Sequence, residues 1–330
     1  MIRIAINGFG RIGRITTRRL LMNNEVSIVA INDLTDSATL AHLFRYDTAF
    51  GIYDGEVMAS DDYISIDGQR IKVYAEKDPS ALPWKELGID VVIESTGVFT
   101  STELCLSHIQ GGARKVALSA PAKGPMKTIV LGVNEDELTA GDFIISNASC
   151  TTNCLAPMVK VLDDAYGIIE GFMTTVHAFT QDQRLQDSPH RDLRRARAAT
   201  YNIIPTSTGA AEAVALVMPH LKGKLTGSAL RVPVITGSLT EFTCLLANDT
   251  SPDEINAHFY NLASSSLKGV LAYSTDPLVS TDIIGNSHSC IFDAEGTKKL
   301  GAMVRIMGWY DNEYGYSSRL ADLAVKMAMM

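Results

Sequence analysis

The chain has 330 residues, 46% hydrophobic and 20% charged, an ordinary globular balance with room for two domains. Its formal net charge of −8 disfavours nucleic-acid binding or attachment to anionic membranes as a main role. No window holds the run of about 20 apolar residues that a spanning helix needs, and Met1-Ile2-Arg3-Ile4 leads straight into a strand-like run with no signal-peptide layout. Five cysteines (Cys105, Cys150, Cys154, Cys244, Cys290) without a disulfide-framework spacing fit a reducing compartment, so a soluble cytoplasmic protein is expected. Cys150 and Cys154 are four apart, but no clustered histidine completes a metal site, and none is expected.

Ile2 to Ile6 reads as a short strand that delivers Gly8-Phe9-Gly10-Arg11-Ile12-Gly13 into a helix running through Asn23. In that setting a G-x-G-x-x-G pattern marks a dinucleotide site. Gly8 permits the tight turn, Gly10 lets a pyrophosphate approach the backbone, and Gly13 lets helix and strand pack closely. The next apolar run, Val26 to Ile31, ends at Asn32-Asp33, and Asp33 falls 20 residues after Gly13. A carboxylate there suits the adenosine ribose hydroxyls and repels a 2′-phosphate, which favours NAD over NADP. From Leu40 to Pro83 short strand-like pieces, Tyr63–Ile66 and Ile71–Tyr74, predict a small antiparallel insertion. Strands at 91–97 and 115–119 flank a helix over 101–110, which predicts a mostly parallel, doubly wound sheet with Thr96, Gly97 and Ser119 lining the cofactor.

Phe143-Ile144-Ile145 is followed by Asn147-Ala148-Ser149-Cys150-Thr151-Thr152-Asn153-Cys154 and then by helical spacing through about Tyr166. Ser149 stands in a capping position and Cys150 in the helix's first turn, where the dipole and unpaired N–H groups favour a thiolate. The polar neighbours argue against a core slot and for a nucleophile. Ile168 to Ala178 is strand-like and carries His177, a candidate base, and the segment 180–197 is crowded with arginines suited to solvated ion pairs or to a phosphate. Thr208-Gly209 precedes an Ala-rich helix that Thr208 is placed to cap. Strands over 225–232, 238–246, 270–273 and 303–309 and a terminal helix over 314–330 complete an α+β half.

Four segments, Asn7 to Arg14, Ser146 to Cys154, Thr206 to Ala211 and Trp309 to Ser317, resemble in sequence and order the motifs of the phosphorylating glyceraldehyde-3-phosphate dehydrogenases, over essentially the whole chain. The resemblance implies a Rossmann-type NAD-binding domain over 1–149, completed by the helix 314–330, and a catalytic domain over 150–313 with a mainly antiparallel sheet. It implies Cys150 as nucleophile and His177 as acid/base and thiol activator. Gly8, Gly10, Arg11, Ile12, Gly13, Asp33, Lys77, Ser119 and Asn312 match NAD-contacting positions, with Asn312 holding the nicotinamide amide. Thr180, Asp182 and Arg231 match the site for the substrate's own phosphate; Ser149, Thr151, Arg195, Thr208 and Gly209 match the side of inorganic phosphate. A homotetramer is implied too.

Two stretches depart from commoner family sequences. Ser188 stands before Pro189 where many NAD-specific members have leucine, which bears on NADP tolerance, and Val234-Ile235-Thr236-Gly237 replaces a Thr-Pro-Asn segment. The alternatives carried beside the main reading are an erythrose-4-phosphate dehydrogenase, an NADP-tolerant enzyme, and a protein that binds RNA or a surface.

Overall fold

Runs of isoleucine and valine without polar alternation form strands buried on both faces. In the first part of the chain these are β1 (Ile2–Asn7) and β2 (Val26–Asn32). A short pair, β3 (Tyr46–Asp47) and β4 (Gly51–Ile52), precedes β5 (Val57–Ala59), β6 (Tyr63–Ile66), β7 (Gln69–Tyr74), β8 (Val91–Glu94), β9 (Lys115–Leu118) and β10 (Ile144–Ser146). The computed structural model describes residues 1–330 throughout and orders the main sheet β10-β9-β8-β1-β2-β7-β6-β5. From β10 to β7 all neighbours run parallel. Helix α1 (Arg11–Leu20) joins β1 to β2, α2 (Ser37–Arg45) follows β2, and α3 (Thr102–Gln110) joins β8 to β9. One core cluster gathers Ala5, Ala30, Leu82, Trp84, Ile89, Val92 and Ala113, and another Cys105, Val116 and Leu118.

Two local expectations change. The strand-like pieces at 63–74 do not stand apart: β7 joins β2 in parallel, and β6 and β5 extend the same sheet antiparallel. Helix α2 occupies the start of the stretch read as strands. Asp36 caps it, accepting from Thr39 N–H at 2.9 Å, and it buries one face through Leu40, Ala41 and Phe44.

The chain divides into two compact units. The first comprises Met1–Ile129, Asp136–Ala148 and Ser317–Met330; the second comprises Val130–Glu135 and Ser149–Tyr316. The second holds α4 (Cys150–Tyr166), β11 (Ile168–Ala178), β12 (Ile204–Thr206), α5 (Ala210–Val217), β13 (Leu225–Val232), β14 (Ser238–Leu246), α6 (Pro252–Ala263), β15 (Leu271–Ser274), β16 (Cys290–Leu300) and β17 (Met303–Tyr310). Their sheet runs β12-β13-β11-β14-β17-β16-β15 and is mainly antiparallel, with parallel pairs at β11/β13 and β15/β16. Alternation of buried and half-buried residues along β14 marks one covered face, and α4, buried along most of its length, packs on β11, β14, β16 and β17. Helix α7 (Tyr314–Ala328) belongs from Ser317 onward to the first unit, where Lys115 Nζ donates to Met327 O at 2.9 Å and satisfies a last-turn carbonyl. No helix is long and apolar enough to cross a membrane.

Candidate active site

In the first unit, β1 ends at Asn7 and the glycine turn leads into α1. Gly8 has φ +89°, and a Cβ there would lie 2.7 Å from Thr96 N; a Cβ on Gly13 would meet Gly8 O at 2.2 Å. Both positions therefore require glycine for packing. Gly10 differs: a Cβ there would meet nothing within 4 Å, and as N-cap of α1 it supplies no side-chain cap. The space beside Gly10 that a side chain would fill thus stays open at the start of α1, which fits the approach of a pyrophosphate to the backbone. Asp33 follows β2, its Oδ2 accepting from Phe9 N–H at 2.8 Å and its Oδ1 from Thr35 N–H at 3.0 Å. The Arg11 guanidinium is ion-paired with Asp47 and lies over the Phe50 ring. Ile12 is half-buried beside it, Lys77 is exposed after β7, and Ser119 follows β9 with its N–H donated to Glu94 O at 2.9 Å.

In the second unit, Ser149 is the N-cap of α4, its Oγ accepting from Thr152 N–H at 3.0 Å. Ala148, just before it, has φ +57°, a conformation that costs a non-glycine residue about 1–2 kcal/mol and marks a functional turn. Cys150 Sγ lies 3.3 Å from His177 Nε2 on β11. His177 Nδ1 lies 2.6 Å from Ala178 O, which can only accept, and 3.2 Å from Arg231 Nη1, which can only donate; on the shorter contact we assign the ring proton to Nδ1, which leaves Nε2 as acceptor for the thiol. Arg231 on β13, in register with His177, donates from Nη1 to Ala178 O and to Thr180 Oγ1, both at 3.1 Å. Burial, then the Arg231 charge, holds His177 down to about 3, so the imidazole is neutral. Burial also pushes the Cys150 thiol up against the pull of Arg231 and of the Thr151 hydrogen bonds. Since Cys150 keeps part of its surface open, that push is weaker than in a sealed core. Desolvation thus outweighs the helix-dipole effect on the isolated thiol.

Thr151 Oγ1 is hydrogen-bonded to Tyr310 OH at 3.0 Å, and Tyr310 OH also meets Thr175 Oγ1 at 2.8 Å. The ring of Tyr310 stands edge-on to His177 with centroids 5.9 Å apart, buttressing the imidazole. Asp182 is ion-paired with Arg195 and its charge also acts on Arg231, and Arg195 Nε donates to Thr206 Oγ1 at 2.8 Å, just before Thr208 and Gly209. Gly209, not Thr208, is the N-cap of α5; Thr208 Oγ1 still accepts from Ala210 N–H at 3.2 Å. Asn312 Oδ1 accepts from Ser238 Oγ at 2.8 Å, and Ser238 Oγ in turn accepts Ala178 N–H at 3.1 Å. Ser238 at the start of β14, with Thr236 Oγ1 at 3.3 Å, ties the Asn312 side chain to the second unit's sheet.

A family model described as the glyceraldehyde 3-phosphate dehydrogenase NAD binding domain matches residues 2–102, and one described as the C-terminal domain matches residues 149–312. The chain belongs to the glyceraldehyde-3-phosphate dehydrogenase family. It is 56% identical over 328 residues to the glyceraldehyde-3-phosphate dehydrogenase of Streptomyces coelicolor, covering 98% of each chain. It is 55% identical over 329 residues to the one of Mycobacterium tuberculosis, covering 98% of this chain and 97% of that relative. Within this dehydrogenase fold, sequence reasoning missed Tyr310 and Ser238 as supports of the site. Tyr310 lies in the Trp309 to Ser317 segment with nothing in its sequence to mark a role, and Ser238 opens a strand with no signal of its own.

Proposed function

We propose that the protein is an NAD-dependent, phosphorylating glyceraldehyde-3-phosphate dehydrogenase that converts D-glyceraldehyde 3-phosphate to 1,3-bisphosphoglycerate in glycolysis or gluconeogenesis. The observation that carries this reading is the 3.3 Å contact between Cys150 Sγ, at the start of α4, and the bare Nε2 of His177. His177 takes the thiol proton as Sγ adds to the aldehyde carbon and passes it to the developing oxyanion, which leaves a neutral imidazole and a thiohemiacetal hydroxyl. The thiohemiacetal oxygen is then held by the Cys150 N–H and the His177 imidazole. Bound NAD supplies a hydride acceptor; the Gly8–Gly13 turn, Arg11, Ile12, Asp33, Lys77, Ser119 and Asn312 are the residues that would hold it. His177 removes the hydroxyl proton as the carbon is oxidised to a thioester. Inorganic phosphate, held by Ser149, Thr151, Arg195, Thr208 and Gly209, attacks the thioester, and the acyl phosphate leaves as Cys150 regains its proton.

Thr180, Asp182 and Arg231 are proposed for the substrate's phosphate, with Asp182 acting through Arg195, to which it is paired. The protein is read as a cytoplasmic homotetramer. Cys150→Ser is expected to lose nearly all NADH formation while retaining NAD binding by calorimetry. Wild-type-like turnover in that variant would remove Cys150 from the mechanism.

A further inference from the structure

Three adjacent strands of the first sheet end on polar residues in one register: Asn7 on β1 pairs with Asn32 on β2 and with Glu94 on β8. In an otherwise aliphatic sheet, polar groups at this depth are costly unless each is satisfied. Glu94 is fully buried and takes four hydrogen bonds. Its Oε1 accepts from Thr96 N–H at 2.8 Å and Thr96 Oγ1 at 2.5 Å; its Oε2 accepts from Asn7 Nδ2 at 2.5 Å and meets His108 Nε2 at 2.9 Å. His108, also fully buried, receives the Trp84 indole N–H on Nδ1 at 3.2 Å, so its proton sits on Nε2 and points at the carboxylate. Asn32 Nδ2 closes the row, donating to Asn7 Oδ1 at 2.7 Å.

The two chain segments that Glu94 grips form the walls of the glycine turn. Asn7 immediately precedes Gly8, and Thr96 N is the atom that a Cβ on Gly8 would strike at 2.7 Å. Ser95 Oγ adds a bond to Gly8 O at 2.7 Å. A carboxylate with three donors from the two walls and a fourth from His108 on α3 sets their separation, and through it the course of the glycine turn into α1. Resting on the reading of this turn as the pyrophosphate site, we propose that Glu94, with His108 behind it, is a positioning residue for dinucleotide binding.

The test is equilibrium binding of NAD and of ADP-ribose to the full chain by calorimetry. Glu94→Gln keeps the shape but turns one acceptor into a donor that faces donors. Both dissociation constants are expected to rise at least tenfold. KM for NAD should rise with them while kcat at saturating NAD falls less than threefold, and iodoacetamide labelling of Cys150 should keep its wild-type rate. A folded Glu94→Gln protein with unchanged or tighter ADP-ribose binding overturns the proposal, whatever its melting temperature. Should that variant not fold, His108→Gln retains an N–H donor for Glu94 and His108→Leu does not. Wild-type affinity in the first and a tenfold loss in the second are expected; equal affinities overturn the proposal. A wild-type chain that binds no ADP-ribose would instead refute the pyrophosphate reading itself.

Discussion

Cys150 and His177 face each other as an uncharged pair, each held neutral by burial, with the Arg231 charge adding to the hold on His177 and working against it on Cys150. In the proposed mechanism this makes proton transfer across their contact the step that activates the thiol. Replacing His177 by Asn removes the acceptor, and both acylation and hydride transfer are expected to slow by about 10²-fold or more. Unchanged burst and steady-state rates would make His177 structural. The same imidazole sets a pH dependence of stability. Its folded value is about 3 against an ordinary 6.5, so on acidification the unfolded chain takes up the proton first. Stability from this group is complete above pH 6.5 and falls as pH drops toward 3, by about 1.4 kcal/mol per unit within that window. Urea unfolding of the wild type and of His177→Asn across pH 4 to 7 should show a shallower acid loss in the variant; parallel curves would contradict a neutral, buried His177.

Helix α4 depends on the turn that starts it. Ser149 caps it through Thr152 N–H, and Ser149→Ala is expected to cost about 1 kcal/mol in denaturant unfolding. Ala148, at φ +57°, tolerates glycine but not a β-branched residue. Ala148→Gly should therefore fold with normal Cys150 labelling, and Ala148→Val should lose more than about 2 kcal/mol and label slowly. Equal behaviour of the two would show that the turn's conformation is immaterial. This strain could not be read in the sequence, because alanine carries no signal of a left-handed backbone, whereas the Ser149 cap followed directly from residue type and position. Other elements were hidden for similar reasons. Helix α6 fills an interval that the strand pattern left blank, although its capping box of Ser251 and Glu254 stood in the sequence. Strand β16 carries Asp293, Glu295, Lys298 and Lys299, which mask its apolar alternation.

The glycine turn, Asp33 at the end of β2 and the cysteine at a helix start were legible because each is a local pattern with a local cause. What was not legible is long-range: the register that pairs Arg231 with His177, the Asp182–Arg195 pair, and the burial that keeps the thiol protonated all depend on residues distant in the chain. Under the proposed mechanism the oxidised intermediate stays bonded to Cys150 until phosphate arrives. The most direct test follows NADH on mixing the protein with NAD and D-glyceraldehyde 3-phosphate, with phosphate omitted and then added. A burst of about one NADH per chain, an acyl adduct on Cys150 by mass spectrometry, and turnover only after phosphate addition are expected. Steady NADH formation without phosphate, or a burst with no adduct on Cys150, would contradict the thioester mechanism.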